Sequence, residues 1–483
     1  MTRLETDYLV IGAGALSMSF VDSLIENSER HITIVDRHAK PGGHWNVAYP
    51  YVTLHQPSAT YGINSMGFDD DRVAVSGPNA GLYELATGTQ VRDYFERAMN
   101  ERFIPSGRVS YHPMSDYIGG EGGEHRFRAI LGGGETQVSV RRKLVDGRDF
   151  TARVPATEKR KFPVGDDVRI TTPGRLPECW LGRDGAWERP SQYVLLGAGK
   201  TAMDAGTWLL QMGVDPADIG WVRPRETWMI NRLATQPGAE YLAQTVDWQL
   251  NQMLIAQEAA NADEIFLGLE ERGHMLRLDP EHLPTKFVFP TISEAEVEML
   301  RTIENVIRIG RLTGIERGVL HGQQGEATEA QDALFIDCTA SAAPRQPAQP
   351  IWQDGRIIPQ LLQVPLVSLS AAVIGYIEAT MEGDQAKNST ALPAQITDSP
   401  AHYPQALLNG AMNRMLWSQN DDLSGWLAKQ RLDPGARIAR VIGGADRETK
   451  AAAMRIREAT IAAVPNLQKL AMQAQNAEVA AAA

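Results

Sequence analysis

The chain has 483 residues, of which 43% are hydrophobic and 22% charged, which is the balance of a folded chain and excludes a mostly disordered one. At ~100–200 residues per domain, the length predicts two or three domains. Lys and Arg number 47 against 59 Asp and Glu, a net charge of −12 that repels phosphate backbones and disfavours general nucleic-acid binding.

The two cysteines, Cys179 and Cys338, lie far apart. That spacing excludes a disulfide scaffold and a CxxC redox pair, and reads as two reduced thiols in a cytosol. The opening MTRLETDYLVIG runs into a strand pattern with no charged-then-apolar leader. The longest near-apolar stretch, Val364 to Ile377, contains Pro365 and is shorter than the ~20 residues a membrane span needs. A cytoplasmic protein without a membrane span is expected, its oligomeric state left open.

In chain order, Asp7 to Ile11 predicts a strand, followed by a glycine turn and a helix to Ile25. His31 to Val35 predicts the next strand, closed by Asp36. Residues 105–150 alternate short strands with glycine-rich turns, an antiparallel excursion from the first sheet. Residues 151–190, charged and punctuated by prolines, predict a linker. Gln192 to Leu196 then repeats the opening plan, with a helix to about Met212 and a strand at Ile219–Val222. Two βαβ openings predict an α/β fold with two Rossmann-like dinucleotide-binding domains. Residues 235–305 predict a helical insertion, in which Ser293 and Glu296 form a capping box. Strands return at Val306–Ile309 and Ala333–Ile336, and 401–483 predicts a helical C-terminal region whose last residues, AEVAAAA, should fray. The expected domains are 1–150 with 325–400, then 151–324 carrying the insertion, then the helical tail.

The first motif is Gly12-x-Gly14-x-x-Ser17. Its first glycine permits the tight turn, its second admits a pyrophosphate, and the small third residue lets helix pack on strand. Asp36 stands where a carboxylate accepts hydrogen bonds from a ribose 2′-hydroxyl, or else merely ends a strand. The second motif is Gly197-x-Gly199-Lys200-Thr201-Ala202. Its following strand ends in Arg223-Pro-Arg225, two guanidinium groups suited to a 2′-phosphate. Lys200 and Thr201 open the helix and can also touch phosphate. Surface ion pairing is the alternative for these cations. NADPH rather than NADH is inferred. His274 and His282 have no third ligand pattern, so no metal site is expected.

After Asp36, Gly42-Gly43-His44-Trp45 resembles the D/E-x(5)-G-G-x-W stretch of the flavin-containing monooxygenases and their Baeyer–Villiger relatives. In that family the glycine pair lies along FAD and the tryptophan walls the flavin. Gln331 to Ser341 sits where relatives carry a D-x(4)-A-T-G segment. No FxGxxxHxxx(W/Y) fingerprint precedes the second motif, so a typical Baeyer–Villiger enzyme is not expected. Leu54-His55-Gln56 lies where the family uses an asparagine near the flavin, so His55 or Gln56 takes that catalytic role or is an ordinary loop residue. The resemblance implies an FAD-dependent, NADPH-consuming monooxygenase that traps O₂ as a flavin hydroperoxide and oxygenates a small organic substrate. An FAD-dependent reductase or oxidase without oxygen transfer is the alternative, and a non-catalytic flavin sensor a third.

Overall fold

The structure, a computed structural model, describes residues 2–68, 72–148, 156–183, 189–340, 348–395 and 397–482. Strand β1 (Thr2–Ile11) is buried from Thr6 onward, as an inner strand covered on both faces must be. It leads through α1 (Ala15–Glu26) to β2 (Ile32–Val35), which pairs with it in parallel. Helix α2 (Gly88–Arg97), opened by a Thr87–Gln90 capping box, precedes β3 (Val109–His112). Then β4 (Ser115–Glu121), β5 (Glu124–Ala129) and β6 (Glu135–Asp146) form the expected antiparallel excursion, and β6 returns beside β1 in parallel. With β2 on one side of β1 and β6 on the other, the glycine turn sits at a switch of strand order.

The second sheet repeats this arrangement. The expected linker instead contributes an edge strand, β7 (Ile170–Thr171), and a short helix, α3 (Leu176–Trp180). Central β8 (Tyr193–Leu196) is followed by α4 (Lys200–Gln211) and β9 (Ile219–Val222). β10 (Met229–Asn231) precedes the expected insertion, which holds α5 (Leu242–Glu258), α6 (Ala262–Glu271) and α7 (Glu294–Arg301), the last with its capping box formed, and also two strands that pair with β10, namely β11 (Met275–Leu276) and β12 (Thr291–Ile292). Next come β13 (Asn305–Ile307) and an antiparallel sheet of β14 (Leu312–Glu316), β15 (Val319–Gly322) and β16 (Gly325–Thr328). β17 (Leu334–Asp337) completes a parallel sheet in the order β13-β9-β8-β17-β7. Ser341, the end of the D-x(4)-A-T-G counterpart, lies outside the described residues.

The chain then re-enters the first sheet through β18 (Trp352–Gln353) and β19 (Arg356–Ile357), the latter parallel to β6. The apolar stretch noted in the sequence becomes α8 (Val367–Thr380), buried from Ser368 to Glu378 against α1. The two helices approach so closely that a β-carbon at Gly375 would meet the Phe20 carbonyl. Among the described residues, no helix is long and apolar enough to cross a membrane. The end of the chain folds as α9 (Asp384–Thr390), α10 (Tyr403–Ser418), α11 (Asp421–Leu427), α12 (Pro434–Val441) and α13 (Arg447–Ala482). Fraying is not seen before Ala482, which suits alanine, the best helix former. Helix α13 packs on α5, and Asn466 donates to the carbonyls of Ala256 and Ala259 at the end of that helix.

One buried ion pair fastens the first sheet to α8 and α9. Glu378 accepts hydrogen bonds from Tyr8 (2.5 Å) and Trp352 (2.9 Å) and pairs with Lys387, itself buried. Removing the lysine strands a carboxylate in apolar surroundings, so Lys387→Met should lower the unfolding free energy by about 3–5 kcal/mol. Urea unfolding checks this. A loss below about 1 kcal/mol would mean that Glu378 does not depend on the ammonium group.

Candidate functional site

The first glycine turn is held by its own neighbours. Gly12 has φ of 94°, and its amide bonds the Val35 carbonyl at the end of β2. The buried Asp36 carboxylate accepts from the amides of Ala13 (2.5 Å) and His38 (2.7 Å). The glycine pair folds back onto the turn. Gly42 donates to the Ala13 carbonyl, and a β-carbon on Gly43 would lie 2.9 Å from the Gly14 Cα. Ser17 replaces the third glycine without loss of packing because its hydroxyl faces Gly147, where no β-carbon fits. Trp45 stands beside this cradle, with its indole N–H donated to Tyr61 (2.8 Å).

At the second turn, the Gly197 carbonyl accepts from Trp221 (2.8 Å) and the Ala198 carbonyl from Thr227 (2.8 Å). Both turns open on one cavity of about 1490 Å³. It is lined by Gly12, Gly14, Ser17, Asp36, Gly43, His44 and Trp45 from the first fold, and by Gly197, Gly199, Lys200, Thr201 and Arg225 from the second. His55 and Gln56 line it as well. Gly42 and Ala202 are not in the wall; Gly42 supports Gly43, and Ala202 is buried in α4.

Arg223 is not brought to the cavity either. It is buried, lies 5.1 Å over the Trp221 ring and pairs with Glu226 at 3.5 Å. Two cations that the motifs did not indicate stand with Arg225 instead. Lys286 Nζ lies within 3.5 Å of the space a Gly199 β-carbon would take, and Arg311 lines the same wall. Burial, then Arg225 and Arg311, lower the Lys286 pKa, while Asp398 opposes them and pairs with Arg225. No sequence signal marks Lys286 or Arg311, since neither lies in a repeat or beside a glycine motif.

Where the two halves meet, Tyr49 donates to Asp204 (2.6 Å), which also pairs with Lys200. Burial, then Lys200, hold the His55 pKa down to about 4, so the ring is neutral at pH 7. The His55 carbonyl accepts from Arg232 (3.1 Å), whose fully buried guanidinium pairs with Glu296 at 2.8 Å.

Two parallel Rossmann-like folds thus face one cavity. The structure is similar to polycyclic ketone monooxygenase from the fungus Thermothelomyces thermophila, with a TM-score of 0.52 over 98% of this chain and 88% of that one. At 11% identity the likeness is one of fold. No family model matches the sequence. The chain is 36% identical over 430 residues to uncharacterized protein Rv2000 of Mycobacterium tuberculosis and, to the same extent, to uncharacterized protein Mb2023 of Mycobacterium bovis. Each alignment covers 89% of this chain and 78% of the relative. The chain belongs to the family of these mycobacterial proteins.

Burial, the largest influence on Glu296, works to raise its pKa, yet Lys200 and Arg232 overcome it and hold the carboxyl at about 2. A folded-state pKa below the ordinary 4.5 stabilises the fold above pH 4.5 and ceases to do so as pH falls toward 2. The difference in unfolding free energy between the parent and Glu296→Gln should therefore shrink by on the order of 3 kcal/mol between pH 5 and pH 2. Parallel pH profiles from denaturant unfolding would show that Glu296 titrates normally.

Proposed function

We propose that this chain is an FAD-dependent, NADPH-consuming oxidoreductase and, within that class, a monooxygenase acting on a small organic substrate with O₂. The observation that carries the reading is the single cavity reached by both glycine turns, acid-ended at Asp36 and cation-lined at Arg225, Lys286 and Arg311. Its volume exceeds the ~300–1,000 Å³ of an ordinary small-ligand pocket, as two dinucleotides require. The residues fit FAD at the first turn, because Gly12, Gly14 and Gly43 line the cavity at the start of α1, where a pyrophosphate must approach. Bound flavin supplies the acceptance of hydride from nicotinamide and the delivery of electrons to O₂.

The chain's own groups do the rest. Asp36 would hold the adenosine ribose of FAD, and Trp45 would wall the ring system. The start of α4 with Lys200 and Thr201 would take the NADPH pyrophosphate. Arg225, Lys286 and Arg311 would take the 2′-phosphate by charge-assisted hydrogen bonds. His55, neutral and held through its carbonyl, and Gln56 offer polar groups between the two turns while Tyr49 and Tyr51 keep that junction aromatic.

The parent should purify yellow or take up added FAD. Asp36→Ala should weaken that binding by about 1–3 kcal/mol, and Gly14→Val should abolish it by blocking the pyrophosphate. Flavin absorbance decides, and equal content in parent and Gly14→Val removes the basis of the reading. Substrate-dependent incorporation of ¹⁸O from O₂ supports monooxygenation, whereas peroxide alone indicates an oxidase.

Stopped-flow flavin reduction tests the nucleotide. The Arg225→Ala/Lys286→Ala pair should lose about tenfold or more in efficiency with NADPH, since each contact is worth about 1.5–3 kcal/mol, and lose little with NADH. Arg223→Ala should leave the preference for NADPH intact. Loss of that preference through Arg223 alone would return the role to the strand-end residue.

A further inference from the structure

A second cavity, of about 1100 Å³, lies among α5, α10, α12 and α13. It adjoins the first, and Gln56, Thr60, Phe289, Pro365 and Leu366 line both. Phe289 stands at this boundary with φ of 55°, a left-handed backbone that a bulky residue holds only when its surroundings enforce it. Here the ring packs on Phe287 and Tyr403.

The walls are apolar, with Trp248, Met253, Leu407, Ile438 and Ile456 among them. Their charge is one-sided. Among the described lining residues there are four arginines, Arg414, Arg437, Arg440 and Arg457, and no Asp, Glu, Lys or His, in a chain of net charge −12. Arg414 is neutralised by a two-pronged contact with Asp433 (2.8 and 2.7 Å). Arg437 donates to the Pro237 carbonyl (2.9 Å), and Arg440 to the carbonyls of Lys429 and Gln430 (3.4 and 3.3 Å). Those last two neutral acceptors position the Arg440 guanidinium without cancelling its charge. Arg440 and Arg457 are exposed, so they stand toward solvent.

We propose that this chamber, resting on the oxidoreductase reading above, is the substrate site, and that its substrate is an amphipathic carboxylate. The apolar body lies among α5, α10 and α13 and points past Phe289 toward the dinucleotide cavity. The carboxylate stays at the arginine side. The size of the chamber, above that of ordinary ligand pockets, calls for a long-chain or polycyclic body. Arginine suits the other end, because its planar fork matches a carboxylate in geometry as well as charge.

Equilibrium dialysis of the purified full chain against radiolabelled dodecanoate and dodecanol, below their aggregation limits, tests this. Dodecanoate should bind about tenfold or more tightly than dodecanol. Arg440→Gln/Arg457→Gln should erase that difference while sparing dodecanol, and Leu407→Trp and Ala453→Trp, which fill the chamber from α10 and α13, should each weaken both ligands. Equal affinity for the two probes in the parent overturns the anionic end. Unchanged binding in both tryptophan variants, each shown folded by its thermal transition, overturns the chamber. Flavin content and NADPH-driven flavin reduction are read on the same preparations. A yellow, NADPH-reducible protein that ignores dodecanoate refutes this inference alone, whereas one that prefers dodecanoate but takes up no flavin refutes the oxidoreductase reading and leaves a carboxylate-binding chamber.

Discussion

A single buried cation sets the geometry on which the candidate site depends. Arg232 has no exposed surface, and a guanidinium in that position must find partners or unfold its surroundings. Its partners come from three separate segments: the His55 carbonyl, the Asn79 side chain, and the Thr291 carbonyl with Glu296. The loop that follows the first glycine motif is thereby fixed against the insertion of the second fold. His55 and Gln56 stand between the two glycine turns because their backbone is one arm of this cluster. The Tyr49–Asp204–Lys200 contact adds a second fastening nearby, and Lys200 joins the two by acting on Glu296 as well. The common cavity is a product of these long-range polar contacts as much as of the two Rossmann-like units.

What could be read from the sequence is what the chain encodes locally. Strand, glycine turn, helix and strand-end acid all fall within one βαβ unit, so Gly12, Gly14 and Asp36 declare themselves by spacing. The capping box at Ser293 is local too, and it forms. Ser17 was legible only in part, since what excuses the missing glycine is Gly147, brought alongside by the return of β6 to β1. Of the two arginines after the second strand, Arg225 lines the cavity, and Arg223 stands away from it for a related reason. Position after a strand says that Arg223 is near the cavity, but not that Trp221 and Glu226 will draw its guanidinium inward. Lys286 and Arg311 come from segments far from the glycine motif and reach it only through tertiary folding. The helical chamber was hidden most deeply, because its walls combine residues 242–253 with residues 403–461.

The same physics explains how an acidic chain offers cationic concavities. Net charge governs what approaches the surface at a distance, whereas low-dielectric walls concentrate the field of the few charges inside a cleft. Arg225 is restrained by Asp398, and Lys286 is held among like charges with its ammonium form disfavoured by burial first and by Arg225 and Arg311 after it. An anion entering there relieves that repulsion. It must therefore raise the Lys286 pKa, so that binding and protonation favour each other. A bound state that holds more proton than the free state gains affinity as pH falls from the lysine's bound-state pKa toward its lowered free-state pKa, and loses it as pH rises over that range. Asp398 works in the opposite sense by competing for Arg225, so an anion that carries more charge than one carboxylate competes better for that cation. That condition separates a phosphate monoester from the hydroxyl it replaces. It also ties the proposed preference for NADPH to the pairing of Lys286 with Arg225 and not to either cation alone.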